Sequence, residues 1–87
     1  MATFEIKWGA NRYSIDLSQE EYDKATVADL KLKCQSLTKV EPHFQKLLSH
    51  GAILKDEQKL IKEYKIQTGS KIMMMGSTVN YIYIFTY

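Results

Sequence analysis

The sequence holds a single cysteine, Cys34, so no disulfide can form within the chain and a secreted, disulfide-stapled scaffold is excluded. Its start, Met1-Ala2-Thr3-Phe4-Glu5, lacks the basic opening and apolar stretch of a signal peptide. No apolar run reaches the roughly 18 residues of a membrane-crossing helix, so no membrane partner is expected. A reducing compartment, cytosol or nucleus, is the expected home. Charge of one sign is also scarce. The 12 Lys and Arg face 10 Asp and Glu, a net of +2, and no five like charges run together. Nucleic-acid binding asks for a basic stripe on one face and is not expected. With 4 glycines there is no glycine-rich phosphate loop, and no serine sits in a nucleophile-elbow context.

What is present suits one small folded domain. The 87 residues hold one core, and a second would not fit. A hydrophobic fraction of 45% with 25% charged residues is that of a globular chain and not of a disordered tail.

Two segments alternate with period two. Phe4, Ile6 and Trp8 share one face and Glu5 and Lys7 the other; Tyr13, Ile15 and Leu17 alternate with Ser14 and Asp16. With the turn residues Gly9-Ala10-Asn11 between them, they predict a β-hairpin. Residues 19–25 are polar and read as a loop with room for a helical turn. Thr26 then starts a helix, with Asp29 placed to complete a capping box. Val27, Leu30, Cys34 and Leu37 form its predicted apolar stripe, with Lys31, Lys33 and Gln35 off it. The helix ends near Thr38, and Pro42 keeps Glu41 out of helical geometry.

Gln45 to Ser49 reads as a short strand with Leu47 and Leu48 on opposite faces. His50-Gly51 is a turn, and Ala52-Ile53-Leu54 a brief strand. Leu60 to Tyr64 makes one helical turn, Ile66 is an apolar anchor, and Lys71 to Met75 is the last strand. One helix with one sheet gives an α+β class. The expected core is Val27, Leu30, Cys34, Leu47, Leu54, Ile66, Ile72 and Met74.

This order of elements resembles the β-grasp fold of ubiquitin from about Phe4 to Gly76. The pieces that carry the likeness are Thr-Val-Ala-Asp-Leu-Lys at 26–31, Val-Glu-Pro-His-Phe-Gln-Lys-Leu-Leu at 40–48, Gly51 to Asp56, Tyr64-Lys65-Ile66-Gln67 and Lys71-Ile72. Lys7-Trp8, together with Lys71-Ile72-Met73-Met74-Met75-Gly76, is similar to one subgroup of ubiquitin-like domains. These are found in the proteasome-associated deubiquitinase, in a phosphatase and in the ubiquitin family domain-containing protein. The continuation Gly76-Ser77-Thr78-Val79-Asn80 looks most like the last of these. The resemblance implies a mixed sheet of four to five strands packed on one long helix. It implies a domain over residues 1–77, followed by a tail, 78–87, that is expected to be poorly ordered. There are departures. The 19–25 loop is longer than in ubiquitin. Lys39 stands where the helix usually ends at Gly, and the left-handed conformation there costs about 1 kcal/mol more for Lys.

Candidate chemistry is thin. Cys34 lies in the helix stripe, where burial disfavours a thiolate, so core filler is the better reading than nucleophile. Cys34, His43 and His50 are neither paired nor numerous enough for structural zinc. No cofactor and no catalytic activity are expected. The run Met73-Met74-Met75 admits two readings: simple alternation that happens to leave Met73 and Met75 exposed, or an adaptable binding surface made of them. By the resemblance, Leu48, Met73 and Met75 fall on ubiquitin's main contact patch, with Lys46 and His50 at its rim. An apolar cluster on a small domain usually marks an interaction site. Trp8 follows Phe4 and Ile6 on their face, which favours the core's edge over the border of that patch.

The resemblance implies a monomeric, non-conjugated interaction module that docks on proteasome subunits or ubiquitin-receptor proteins. The rival is a covalent modifier. That chemistry needs a flexible tail ending in Gly-Gly, whereas this chain passes from Gly76 into Ser77-Thr78 and on to Tyr87.

Overall fold

Alternation along the first 17 residues builds the hairpin that the rest of the sheet is laid on. In the computed structural model, which describes residues 1–76, β1 (Ala2–Trp8) pairs antiparallel with β2 (Asn11–Leu17), setting Phe4 opposite Ile15 and Ile6 opposite Tyr13. Phe4, Ile6, Ile15 and Leu17 are buried, while Trp8 and Tyr13 pack half-buried at the turn end of the hairpin. The expectations for the tail, residues 78–87, lie outside the described residues.

The segment expected to be a loop is a short helix, α1 (Gln19–Lys24). Ser18 caps it: Glu21 N–H donates to Ser18 Oγ at 3.1 Å, and Ser18 N–H donates to Glu21 Oε1 at 2.9 Å. Tyr22 Oη donates to the Ile66 carbonyl and ties α1 to the far side of the chain. The main helix, α2 (Val27–Thr38), starts at the predicted capping box of Thr26 and Asp29. Two of its first N–H groups, on Val27 and Ala28, donate to the Lys59 and Glu57 carbonyls at 3.0 Å, so the 57–59 loop satisfies them. The helix is 12 residues long and ends on Lys39 in the left-handed conformation at φ 68°, at the position that Gly usually takes.

The buried face of α2 is Val27, Leu30, Lys31, Cys34 and Thr38. This corrects the predicted stripe. At about 100° per residue, Leu37 stands roughly 80° round from Val27, whereas Thr38 returns to within about 20° of it. Leu37 is therefore 40% exposed. Lys31 is buried instead; its stem lies along the core and its Nζ reaches Glu57 Oε2 at 2.9 Å.

After α2 come a 3₁₀ turn (Pro42–Phe44), β3 (Lys46–Ser49), β4 (Ala52–Ile53), a second 3₁₀ turn (Ile61–Tyr64) and β5 (Lys71–Met75). His50 and Gly51 join β3 to β4 with φ of 53° and 79°. Consecutive positive φ values make the primed turn that matches strand twist. The five-stranded sheet has the order β2-β1-β5-β3-β4, with β1 and β5 parallel and every other pair antiparallel. This is the α+β, β-grasp arrangement that the resemblance implied. All eight expected core residues, from Val27 to Met74, are buried, joined by Ile6, Val40 and Ile61.

Candidate protein-binding face

Strand alternation sends Leu47, Ile72 and Met74 into the core, and so turns their neighbours out to the opposite face. β5 lies beside β3 with Met73 opposite Leu48 and Met75 opposite Lys46, and β4 lies beside β3 with Ile53 opposite Leu48. Met73, Leu48 and Ile53 therefore form one row across three strands, and cross-strand partners on one face are in reach of each other. Met73, Met75 and Ile53 are 51%, 50% and 40% exposed. Leu48, on the face opposite Leu47 as expected, is half-buried because Met73 and Ile53 flank it on both sides.

The row continues in the other direction into cations. Lys7 pairs with Met73 across β1 and β5, and Arg12 pairs with Lys7 across β1 and β2. Both are exposed, as is Lys46. The face thus has an apolar end at β3–β5 and a basic end at the hairpin. His50 sits in the β3–β4 turn beyond the row, with its Nδ1 3.2 Å from Ser49 Oγ.

Of the five residues singled out in the sequence, the structure gathers Leu48, Met73, Met75 and Lys46 on adjacent rungs and leaves His50 at the periphery. Ile53, Lys7 and Arg12 were not foreseen as members. Ile53 had a local signal, since its neighbour Leu54 is a core residue. The two cations had none, because their place depends on β1 lying against β5.

Trp8 belongs to the core's edge. Its ring packs against the buried cluster, and its Nε1–H donates to the Gly76 carbonyl at 3.0 Å. Gly76 holds φ 152°, and a Cβ there would come within 2.6 Å of the Phe44 carbonyl oxygen and 3.2 Å of Val40 Cγ1. The chain thus leaves β5 held between β1 and the Pro42–Phe44 turn.

Burial pushes the Cys34 thiol up from 9.0 to about 12, and among the described residues no group of three His, Cys, Asp or Glu side chains could hold a metal ion. On the opposite side of the molecule an open groove runs between α1, β2 and α2, over Ile15, Leu17 and Leu30. Its rim sets Lys24 and Lys33 against Glu21 and Asp29, so it carries no net charge.

The chain matches the profile of the ubiquitin family over residues 6–79. It is 45% identical over 76 residues to the ubiquitin-like domain-containing CTD phosphatase 1 of Danio rerio, covering 83% of this chain and 22% of the phosphatase. It is 30% identical over 80 residues to the ubiquitin domain-containing protein UBFD1 of Homo sapiens, covering 92% of this chain and 24% of that protein. The chain thus spans about a fifth of the length of the curated relatives it matches. Among solved structures, the ubiquitin-like domain of an Arabidopsis thaliana protein superposes with a TM-score of 0.76 at 20% identity, covering 91% of this chain and 80% of that one. At that identity the likeness speaks for the fold.

Proposed function

The chain belongs to the ubiquitin family, and from that premise we propose that it is a non-conjugated docking module that binds a proteasome subunit or a ubiquitin receptor through Met73, Leu48, Ile53 and Met75. The observation that carries this reading is the exposed apolar row on an otherwise polar sheet face, with two methionines half in water. Such a row stays soluble on the free domain and gains most when a partner covers it. Methionine suits the role because its flexible thioether adapts to different partner shapes. The curated relatives are longer proteins whose names give them a ubiquitin or ubiquitin-like domain. This supports reading residues 1–77 as that domain, which in a longer protein would serve as a tether for other domains. A buried, reduced thiol suits the reducing cytosol or nucleus, and we place the protein there.

Two features weigh against a covalent modifier. Met75-Gly76-Ser77-Thr78 has no Gly-Gly after the last strand. Gly76 is also held by Trp8 and packed against Phe44, where a modifier needs a free, extended tail. Incubating the purified chain with ubiquitin-activating enzyme and ATP is expected to give no thioester; a thioester band would restore the modifier reading.

The docking reading is tested by NMR titration of the labelled chain with a purified proteasomal ubiquitin receptor. The largest shifts are expected at Leu48, Ile53, Met73 and Met75. Met73→Gln is expected to weaken binding about tenfold by removing an apolar contact at the centre of the row. A neutral replacement is the cleaner probe, because an Asp at this position would find Lys7 opposite it. Shifts centred on Leu32 and Lys33 of the α2 groove would move the site to the other side of the domain.

A further inference from the structure

The three consecutive methionines divide sharply by environment. Met73 and Met75 are 51% and 50% exposed, while Met74 between them is 2% exposed, opposite Leu47 on one side and Trp8 on the other. Of the other two sulfurs, Met1 is 79% exposed at the chain's start, away from this row, and Cys34 is fully buried on the inner side of α2. From this arrangement we infer that Met73 and Met75 form an oxidation-sensitive switch, at which a peroxide converts the docking face from apolar to polar while the core sulfurs stay reduced.

The inference rests on the docking reading for its consequence and on the burial pattern for its selectivity. A thioether sulfur attacks one oxygen of hydrogen peroxide. The sulfur–oxygen bond forms as the oxygen–oxygen bond breaks, the sulfur gives up two electrons, and the transferred oxygen's proton leaves with the departing hydroxide as water. Nothing beyond the peroxide is consumed. Attack needs an open approach to the sulfur, which Met73 and Met75 have and Met74 lacks. A thiol reacts through its thiolate, and the Cys34 thiol, pushed up to about 12, supplies almost none at neutral pH. Each sulfoxide sets a strong dipole into the row beside Leu48. A partner would then have to desolvate that dipole without a matching donor, so docking is lost. The core beneath is untouched, because Leu47, Ile72 and Met74 face away. The lesion is reversible, since methionine sulfoxide reductases return the thioether.

The test treats the full chain with hydrogen peroxide, maps the oxidised sites by mass spectrometry and follows retention on a phenyl matrix. Met73 and Met75 are expected to oxidise about tenfold faster than Met74, following exposure. Retention should fall while the thermal midpoint stays within a few degrees. Met1, exposed in both proteins, should oxidise in both, so a Met73→Leu/Met75→Leu variant should lose far less retention than the wild type after the same treatment, and sulfoxide reductases should restore that of the wild type. Measured against each protein's own untreated form, binding to the purified proteasomal receptor should fall about tenfold when the wild type is oxidised and should not change when the leucine variant is treated. Oxidation of Met74 at the rate of its neighbours, unfolding on treatment, unchanged retention, or retained receptor binding by the oxidised wild type would each overturn the switch. If the untreated chain does not bind the receptor, the docking reading loses that partner. The switch is then decided by the site map and the retention alone.

Discussion

Cys34 is the residue where position most directly decides chemistry. Its side chain points into the core from α2, with Leu30 one turn before it and the Thr38 hydroxyl, one turn later, donating to its carbonyl at 2.8 Å. Burial raises its thiol from 9.0 to about 12, because a thiolate there would lose its water with no cation to replace it. A thiol whose folded pKa is raised contributes its full stability below the unfolded value and loses it as pH climbs. The domain should therefore lose stability as pH rises from 9.0 towards about 12, more steeply than a Cys34→Ala variant, in paired denaturant melts. Over neutral pH the thiol should be inert: an aromatic disulfide reagent should label it only at the rate of global unfolding. Fast labelling of the native chain would mean that α2 does not seal it. Lys31 makes the complementary point. Its charge did not keep it out of the core, because its stem is apolar and Glu57 receives its amine at 2.9 Å at the boundary.

At the level of elements, α1 shows what sequence periodicity cannot report. It has no fully buried residue and packs only the half-buried Tyr22 against the core; apolar periodicity records burial, so a helix with a single such residue leaves no stripe to read. Its trace lay in Ser18-Gln19-Glu20-Glu21, the spacing of a capping box. The same signal in Thr26 and Asp29 was legible because Val27, Leu30 and Cys34 followed it. The box makes α1 sensitive to acid. The Ser18 backbone N–H holds the Glu21 carboxyl below its ordinary 4.5, with the Ser18 hydroxyl and Lys33 adding to the effect. A depressed carboxyl contributes stability above its ordinary value and loses it as pH falls through the lowered one. Amide exchange at Tyr22 and Asp23 should therefore rise below pH 4.5 before that of α2 does, and Glu21→Gln should flatten this dependence. Equal acid responses in the two helices would show that the box does not hold α1. The candidate face was legible to the extent that local alternation writes it. Met73 and Met75 followed from Ile72 and Met74, and Leu48 from Leu47. Ile53 had only the signal of its core neighbour Leu54, because β4 has two residues, too few to show alternation by themselves. Lys7 and Arg12 joined the row only through the strand order β2-β1-β5, which is non-local and has no period in the sequence.

The whole molecule is a sheet with one face buried and the other open, and on the proposed docking reading this makes stability and binding separable. Leu47 and Met73 sit on adjacent strands within one rung of each other, yet Leu47 is 0% exposed and Met73 is 51%. Removing Leu47's buried branch leaves a cavity beneath α2, and Leu47→Ala should cost about 2–5 kcal/mol. That is a large part of the roughly 5–15 kcal/mol that a single domain holds. The outer face stays as it was, so the fraction that remains folded should bind the receptor with near wild-type affinity. Met73→Gln should do the reverse. Its site is already half in water, so the fold should change by about 0.5 kcal/mol or less, while receptor binding falls about tenfold because the centre of the row turns polar. Denaturant melts and titrations on both variants, at a temperature where Leu47→Ala is still mostly folded, decide the matter. A Met73→Gln domain that melts like Leu47→Ala, or a folded Leu47→Ala domain that no longer binds, would mean that the two faces are coupled through the sheet.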